Sequence, residues 1–186
     1  GYYNRARNLQ KAAKIIEQNY KGEMPNTYAE LITLAGIGEY TAGAIASIAY
    51  NERIPAVDGN VLRVISRVTA SDKDVILPET KKVVTEQLKT LMTKQEDNFQ
   101  AGDFNEALME LGELICLPNG EPICQECPLQ RICIAYQKGL TQELPIRVKK
   151  LKRKEEDRTV FLLVSQEGKI AIKKRNEKGV LSGMYE

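Results

Sequence analysis

Apolar residues return every third or fourth position along most of the chain. The sets are Leu9, Ala12, Ala13 and Ile16; Tyr28, Leu31, Ile32 and Ala35; Val61, Val64, Ile65 and Val68; Val84, Leu88 and Leu91; and Phe104, Leu108, Leu111 and Ile115. This is the helical period, so each set predicts one helix with a buried stripe. Short breakers separate them ("KGEMPNT", "LAGIG", "NERIP", "ILPE", "EDNFQAGD"), as in a compact helical array. Residues 1 to about 137 therefore read as all-α. The pattern then changes at "ELPIRVKKLKRKEED", where six of the eight residues from Arg147 to Lys154 are basic and an acidic triplet follows. This predicts a linker over 138–157. Beyond it, "RTVFLLVSQEGKIAIKKR" has β character, with Val160–Val164 and Lys169–Lys174 flanking a "SQEG" turn as a hairpin.

Composition changes this picture little. A chain of 186 residues supports one good core and part of a second, and 42% hydrophobic with 28% charged residues is ordinary for a soluble globular protein. No stretch approaches the ~20 apolar residues that span a bilayer, and the N-terminus has no signal-peptide pattern. An intracellular, reducing compartment is the expectation. The net charge of +2 does not announce a nucleic-acid partner, so that claim has to come from motifs. The chain opens at Gly1 without a methionine and ends at "LSGMYE", which predicts a piece of a longer protein.

Three motifs carry candidate chemistry. In "LAGIGEYTAGAI", Gly36 and Gly38 lie between two helical patterns. Glycines there permit a sharp turn and close approach of another molecule, and the amides opening the second helix form an anion site. A helix-hairpin-helix of this kind grips a phosphate backbone without reading sequence. An ordinary helix cap at Gly36 is the plainer alternative. In "PAVDGNVLRVISR", Asp58 opens a helical stripe, which suits an N-cap and equally suits a carboxylate that stabilises a cationic sugar. The third motif gathers every cysteine of a chain without histidine: Cys116, Cys124, Cys127 and Cys133, spaced C-x7-C-x2-C-x5-C. Disulfides seldom persist in a reducing compartment, and the spacing has one close pair where zinc ribbons have two. A four-thiolate iron-sulfur site is compatible with it.

Taken together, "GYYNRARNL", "YTAGAI", "VDGNV" and the cysteine loop resemble the iron-sulfur helix-hairpin-helix DNA glycosylase superfamily that includes endonuclease III, and within it the adenine DNA glycosylases of the MutY family. The likeness covers essentially the whole chain. It implies a mainly α fold divided into a partial helical barrel (1–93) with the helix-hairpin-helix at 27–50, an iron-sulfur domain (94–137), the linker, and from 158 to 186 the first hairpin of a truncated Nudix-like domain. It further implies a 4Fe-4S cluster on the four cysteines and a double-stranded DNA partner carrying adenine opposite 8-oxoguanine or guanine. DNA contacts would come from Gly36, Ile37, Gly38, Tyr40 and Thr41. The implied setting is the bacterial cytosol, with no membrane, and the implied full-length state is a monomer.

The resemblance also implies the chemistry. Asp58 is the anion at the sugar, Tyr40 lies beside that sugar, and Asn60 orients water and carboxylate. Relatives that cut the strand carry a lysine where this chain has Tyr40, because an amine must attack the sugar carbon. Hydrolysis without strand cleavage is the expectation. The general acid of the family is a glutamate upstream of the segment matching Gly1, so these residues alone are expected to be inactive. The chain departs from the family at Ala35, where proline is usual, and at "LPNGEPI", which is one residue longer than usual and lacks basic residues. The rivals are an endonuclease III-like lyase, opposed by Tyr40, and a non-catalytic helix-hairpin-helix DNA-binding module.

Overall fold

The computed structural model describes residues 3–148, 157, 159–176 and 182–185. Tyr2, Arg158 and the basic run beyond Val148 lie outside them. Contacts divide the chain into two units, Gly1–Lys149 and Lys150–Glu186. The first is helical: α1 (Tyr3–Tyr20), α2 (Tyr28–Leu31), α3 (Glu39–Tyr50), α4 (Gly59–Val68), α5 (Pro78–Thr93), α6 (Ala101–Glu110) and α7 (Ile134–Gln137). A π-helical turn (Leu111–Ile115) extends α6, and two 3₁₀ turns (Cys124–Glu126 and Gln130–Ile132) precede α7.

The main core joins Val57, Val61, Leu62 and Val64 around α4 to Val84 and Leu88 of α5 and to Leu108 and Leu111. A second core sets Ala12 of α1 and Leu31 and Leu34 of the α2 region against Ala42 and Ala46 of α3. Two stripes sit differently from their predicted phase. In α5 the buried line is Val84, Leu88 and Met92, and Leu91 is exposed. From Leu88 both the third and the fourth following residue suit a helical period, and packing selects the fourth. In α1 only Ala12 is fully buried, while Leu9 is 74% exposed and Ala13 is also exposed. Ile16 packs against the second core as its stripe predicts, and Ile15 joins it in place of the exposed pair.

Local signals set the helix ends. Thr27 caps α2, accepting from the Glu30 amide at 3.3 Å. Asn51 ends α3 in the left-handed region (φ +52°), and the amides of Asn51 and Glu52 return to Ser47 O and Ala46 O. Its side chain also starts α6, accepting from the Ala101 amide (2.7 Å) and donating to Phe99 O (3.2 Å). Helices α3 and α6 then meet through glycine. A Cβ on Gly102 would stand 2.9 Å from Ile48 Cα and 3.2 Å from Ser47 O, and one on Gly43 would stand 2.8 Å from Pro55 O.

The second unit contains the expected turn, at a shorter reach than expected. Val164 and Ile170 form an antiparallel bridge, the Ser165 amide bonds Lys169 O (2.8 Å), and the Ala171 amide bonds Leu163 O (3.0 Å). Pairing between the two predicted arms stays close to the turn, while Lys174 bridges instead to Tyr185, and no continuous strand forms among the described residues. Val160 and Phe161 are 88% and 81% exposed. An apolar face that nothing covers does not hold a long two-stranded ribbon together.

The close contact at Gly102 is with backbone, which cannot swing aside. Gly102→Ala is expected to lower unfolding stability by about 2 kcal/mol through overpacking, read as a fall in the denaturant midpoint at constant slope. An unchanged midpoint would show that α3 and α6 are not held at this distance.

Candidate functional site

The hairpin turn is set by two glycines with different duties. Gly36 has φ +82°, and a Cβ there would lie 2.7 Å from Asn8 Cβ, so both conformation and packing require it. Gly38 is the N-cap of α3, and a Cβ there would meet nothing within 4 Å. The protein's own packing leaves that position open. The first bond of α3 runs from the Ala42 amide to Gly38 O (2.8 Å), so the amides of Glu39, Tyr40 and Thr41 precede the ladder. Glu39 is paired with Lys81 of α5 at 3.0 Å. Ile37 packs into the second core, and its amide bonds Leu34 O (3.1 Å). Thr41 is exposed.

Tyr40 is 39% exposed, with its hydroxyl 3.1 Å from Met109 Sδ. It lines a groove of about 470 Å³ together with Ile54, Pro55 and Val57, the residues that lead to Asp58. Asp58 caps α4 through Oδ1, which accepts from the amides of Asn60 (2.9 Å) and Val61 (2.8 Å). Its Oδ2 has no hydrogen-bond partner among the described residues. The cap uses one oxygen and leaves the other for different work. Asn60 sits one turn below Arg63, and its Oδ1 accepts from Arg63 Nη2 at 3.0 Å. Its Cβ lies 2.7 Å from where a Cβ on Gly112 would be, so only glycine fits opposite it.

Helix α4 then carries two buried guanidiniums, Arg63 (3% exposed) and Arg67 (4%). The only other buried polar side chains among the described residues are Ser47, Ser66 and Asn105, so no buried carboxylate answers either charge. Carbonyls do the solvating. Arg63 Nε donates to Cys116 O (2.8 Å) and Nη2 to Gly112 O (2.6 Å). Arg67 Nε donates to Leu144 O (2.9 Å), and its Nη1 donates to Leu117 O (2.9 Å) and to Cys116 Sγ (3.3 Å). Burial pushes the Arg63 guanidinium below the ordinary arginine value, and Cys116 pulls it back.

The four cysteines line one small cavity of about 20 Å³ whose walls include Val64, Val68, Leu111, Ile115 and Leu129 and also Arg67 and Gln130. Burial is the first cause that raises the Cys124 and Cys127 thiols, and the neighbouring sulfurs raise both further. The Cys133 thiol donates to Arg67 O at 3.5 Å. No set of three or more His, Cys, Asp or Glu side chains among the described residues is arranged to hold a single metal ion. The donor chemistry still fits a larger anionic group: four thiols, a largely apolar wall, and the Arg67 guanidinium on the same cavity.

Sequence reading singled out Asp58, Asn60, Tyr40, the hairpin and the cysteines, and overlooked Arg63, Arg67, Gly112 and Asn105. Arg63 and Arg67 did carry a signal, being four residues apart within a helix whose apolar stripe was already plain.

A helix-hairpin-helix family model matches residues 19–48. The mouse adenine DNA glycosylase is 45% identical over 79% of this chain and 28% of its own length. An adenine DNA glycosylase of Buchnera aphidicola subsp. Schizaphis graminum is 34% identical over the entire chain and 52% of its own length. The solved structure of a non-covalent endonuclease III-DNA complex superposes with a TM-score of 0.58 at 30% identity, covering 75% of this chain and 61% of that one. The chain thus spans from under a third to about half of the curated relatives it matches. The resemblance to adenine DNA glycosylases extends along the whole of it.

The two duties of Asp58 separate by substitution. Asp58→Ala is expected to cost about 1 kcal/mol of stability through loss of the cap, and Asp58→Asn, which keeps an oxygen acceptor, much less. Equal unfolding midpoints for the two variants would dismiss the cap.

Proposed function

We infer that this chain, a relative of the adenine DNA glycosylases, belongs to a base-excision repair enzyme that hydrolyses the N-glycosidic bond of adenine paired with 8-oxoguanine or guanine in duplex DNA. The observation that carries the reading is the divided carboxylate of Asp58, with one oxygen spent on the cap and the other open. Such an anion, fixed in advance by two backbone amides, stabilises the oxocarbenium character that develops on the sugar as the base departs. No reorganisation is needed when the charge appears.

The remaining residues take parts around it. The open position at Gly38 and the α3 amides that follow accept a phosphate of the DNA backbone, which fixes register without reading sequence. The adenine leaves the stack before reaction. Tyr40, beside the segment leading to Asp58, borders the sugar, and a phenol forms no Schiff base with it. Asn60, its oxygen held by Arg63, presents its amide nitrogen to the attacking water.

Cys116, Cys124, Cys127 and Cys133 hold a 4Fe-4S cluster. The cluster, when bound, would supply four strong bonds that fix the loop and a negative charge in the cavity that Arg67 lines. Residues 158–186 begin a Nudix-like domain, and the hydrogen-bonded turn at Ser165–Gly168 supports that reading. No helix among the described residues is long and apolar enough to cross a membrane. The accompanying proposal is a cytoplasmic enzyme that acts on DNA as a monomer.

Two measurements test the proposal. With the intact protein, Asp58→Asn should lower adenine release from an A:8-oxoguanine duplex by orders of magnitude and leave binding of that duplex in place. Near-normal turnover would reduce Asp58 to a cap. Protein purified without oxidative loss should be brown, with iron and acid-labile sulfide in equal amounts, and colourless protein with one zinc per chain would overturn the cluster assignment.

A further inference from the structure

The segment that delivers Asp58 has no sheet and no helix to hold it. Pro55, Ala56 and Val57 are buried, yet they run extended and alone, so their backbone groups must find partners elsewhere. Asn105 of α6 provides them. Fully buried (1% exposed), it accepts from the Ala56 amide through Oδ1 (3.0 Å) and donates through Nδ2 to Ile54 O (2.9 Å). The same nitrogen donates to Ser47 Oγ on α3 (2.8 Å). One side chain thereby grips the backbone on both sides of Pro55, three residues before the carboxylate, and ties it to the second helix of the hairpin. Gly43 lets α3 close onto Pro55 O from another side.

We propose that Asn105 is a positioning residue for Asp58, setting the placement of its open oxygen by holding residues 54–56 against α6. This rests on the glycosylase reading. Its bonds to Ile54 and Ala56 do what a neighbouring strand does in a sheet, with the difference that a single residue carries both. Removing them frees the backbone two residues from the reacting anion, while the hairpin amides that meet DNA stay as they are. A displacement of about 1 Å in a reacting group costs up to roughly 100-fold in rate.

The test uses the intact, cluster-loaded protein below its unfolding midpoint. Asn105→Ala is expected to slow single-turnover adenine release from an A:8-oxoguanine duplex by about 10- to 100-fold. Its affinity for the same duplex carrying a non-hydrolysable adenosine analogue should be unchanged. Ser47→Ala, which removes one partner and keeps both segment bonds, should lose thermal stability and keep the rate. Should the alanine variant fail to fold, Asn105→Asp keeps the volume and the Ala56 acceptor, loses the donor to Ile54, and should also be slow. A wild-type rate in whichever Asn105 variant folds, a loss of rate matched by loss of duplex affinity, or an equal slowing in Ser47→Ala would each overturn the proposal. Wild-type protein that releases no adenine would instead overturn the glycosylase reading on which it stands.

Discussion

Two positive charges buried on α4 are solvated chiefly by backbone carbonyls, and most of the first unit is arranged around that requirement. Arg63 and Arg67 take up the carbonyls of Gly112, Cys116, Leu117 and Leu144, which belong to two separate stretches of chain. Burying a guanidinium costs far more than any one of these bonds returns, so the carbonyls must all be in place together. The loops are held because the charges need them. The same helix begins with the opposite sign at Asp58, and Arg63 reaches back through Asn60 toward that end.

Glycine makes the second half of the arrangement possible. At Gly43, Gly102 and Gly112 a side chain would strike the backbone of a neighbour or the stem of Asn60. Three contacts at this distance bring α3, α6 and the Asp58 segment close enough for the side chain of Asn105 to bridge them. Precision at the carboxylate is therefore built by absence of bulk as much as by bonding, and the polar residue in the middle is satisfied on every side.

What could be read in the sequence was what depends on neighbours along the chain. The turn at Gly36 and the cap at Asp58 are local patterns, and each has its expected local form. The helix starts around Tyr28, Glu39, Gly59 and Pro78 likewise follow from breakers and caps. Stripe phase was less secure, because Leu91 and Met92 fit a helical period equally and only the opposing surface distinguishes them. Asn105 was silent for a stronger reason. In sequence it is one polar residue in "DFNEALME", and nothing nearby reveals that its partners lie some fifty positions earlier. Ile37 makes the converse point, since it sits within the hairpin motif yet spends its side chain on the core.

The π-helical turn at Leu111–Ile115 has an evolutionary consequence. Such a turn accommodates one residue more than an α-helix would, and each residue in a helix rotates the next by about 100°. Cys116 faces the cavity because that extra residue has been counted in, with its amide closing onto Leu111 O at 2.7 Å. The stretch from Asn105 to Cys116 thus has a fixed length, whereas the exposed tip of the next loop, Pro118 to Glu121, is free to vary. Descendants of this sequence should accumulate insertions and deletions after Cys116 and almost none in the eleven steps before it, so the spacing there behaves as a molecular ruler under selection.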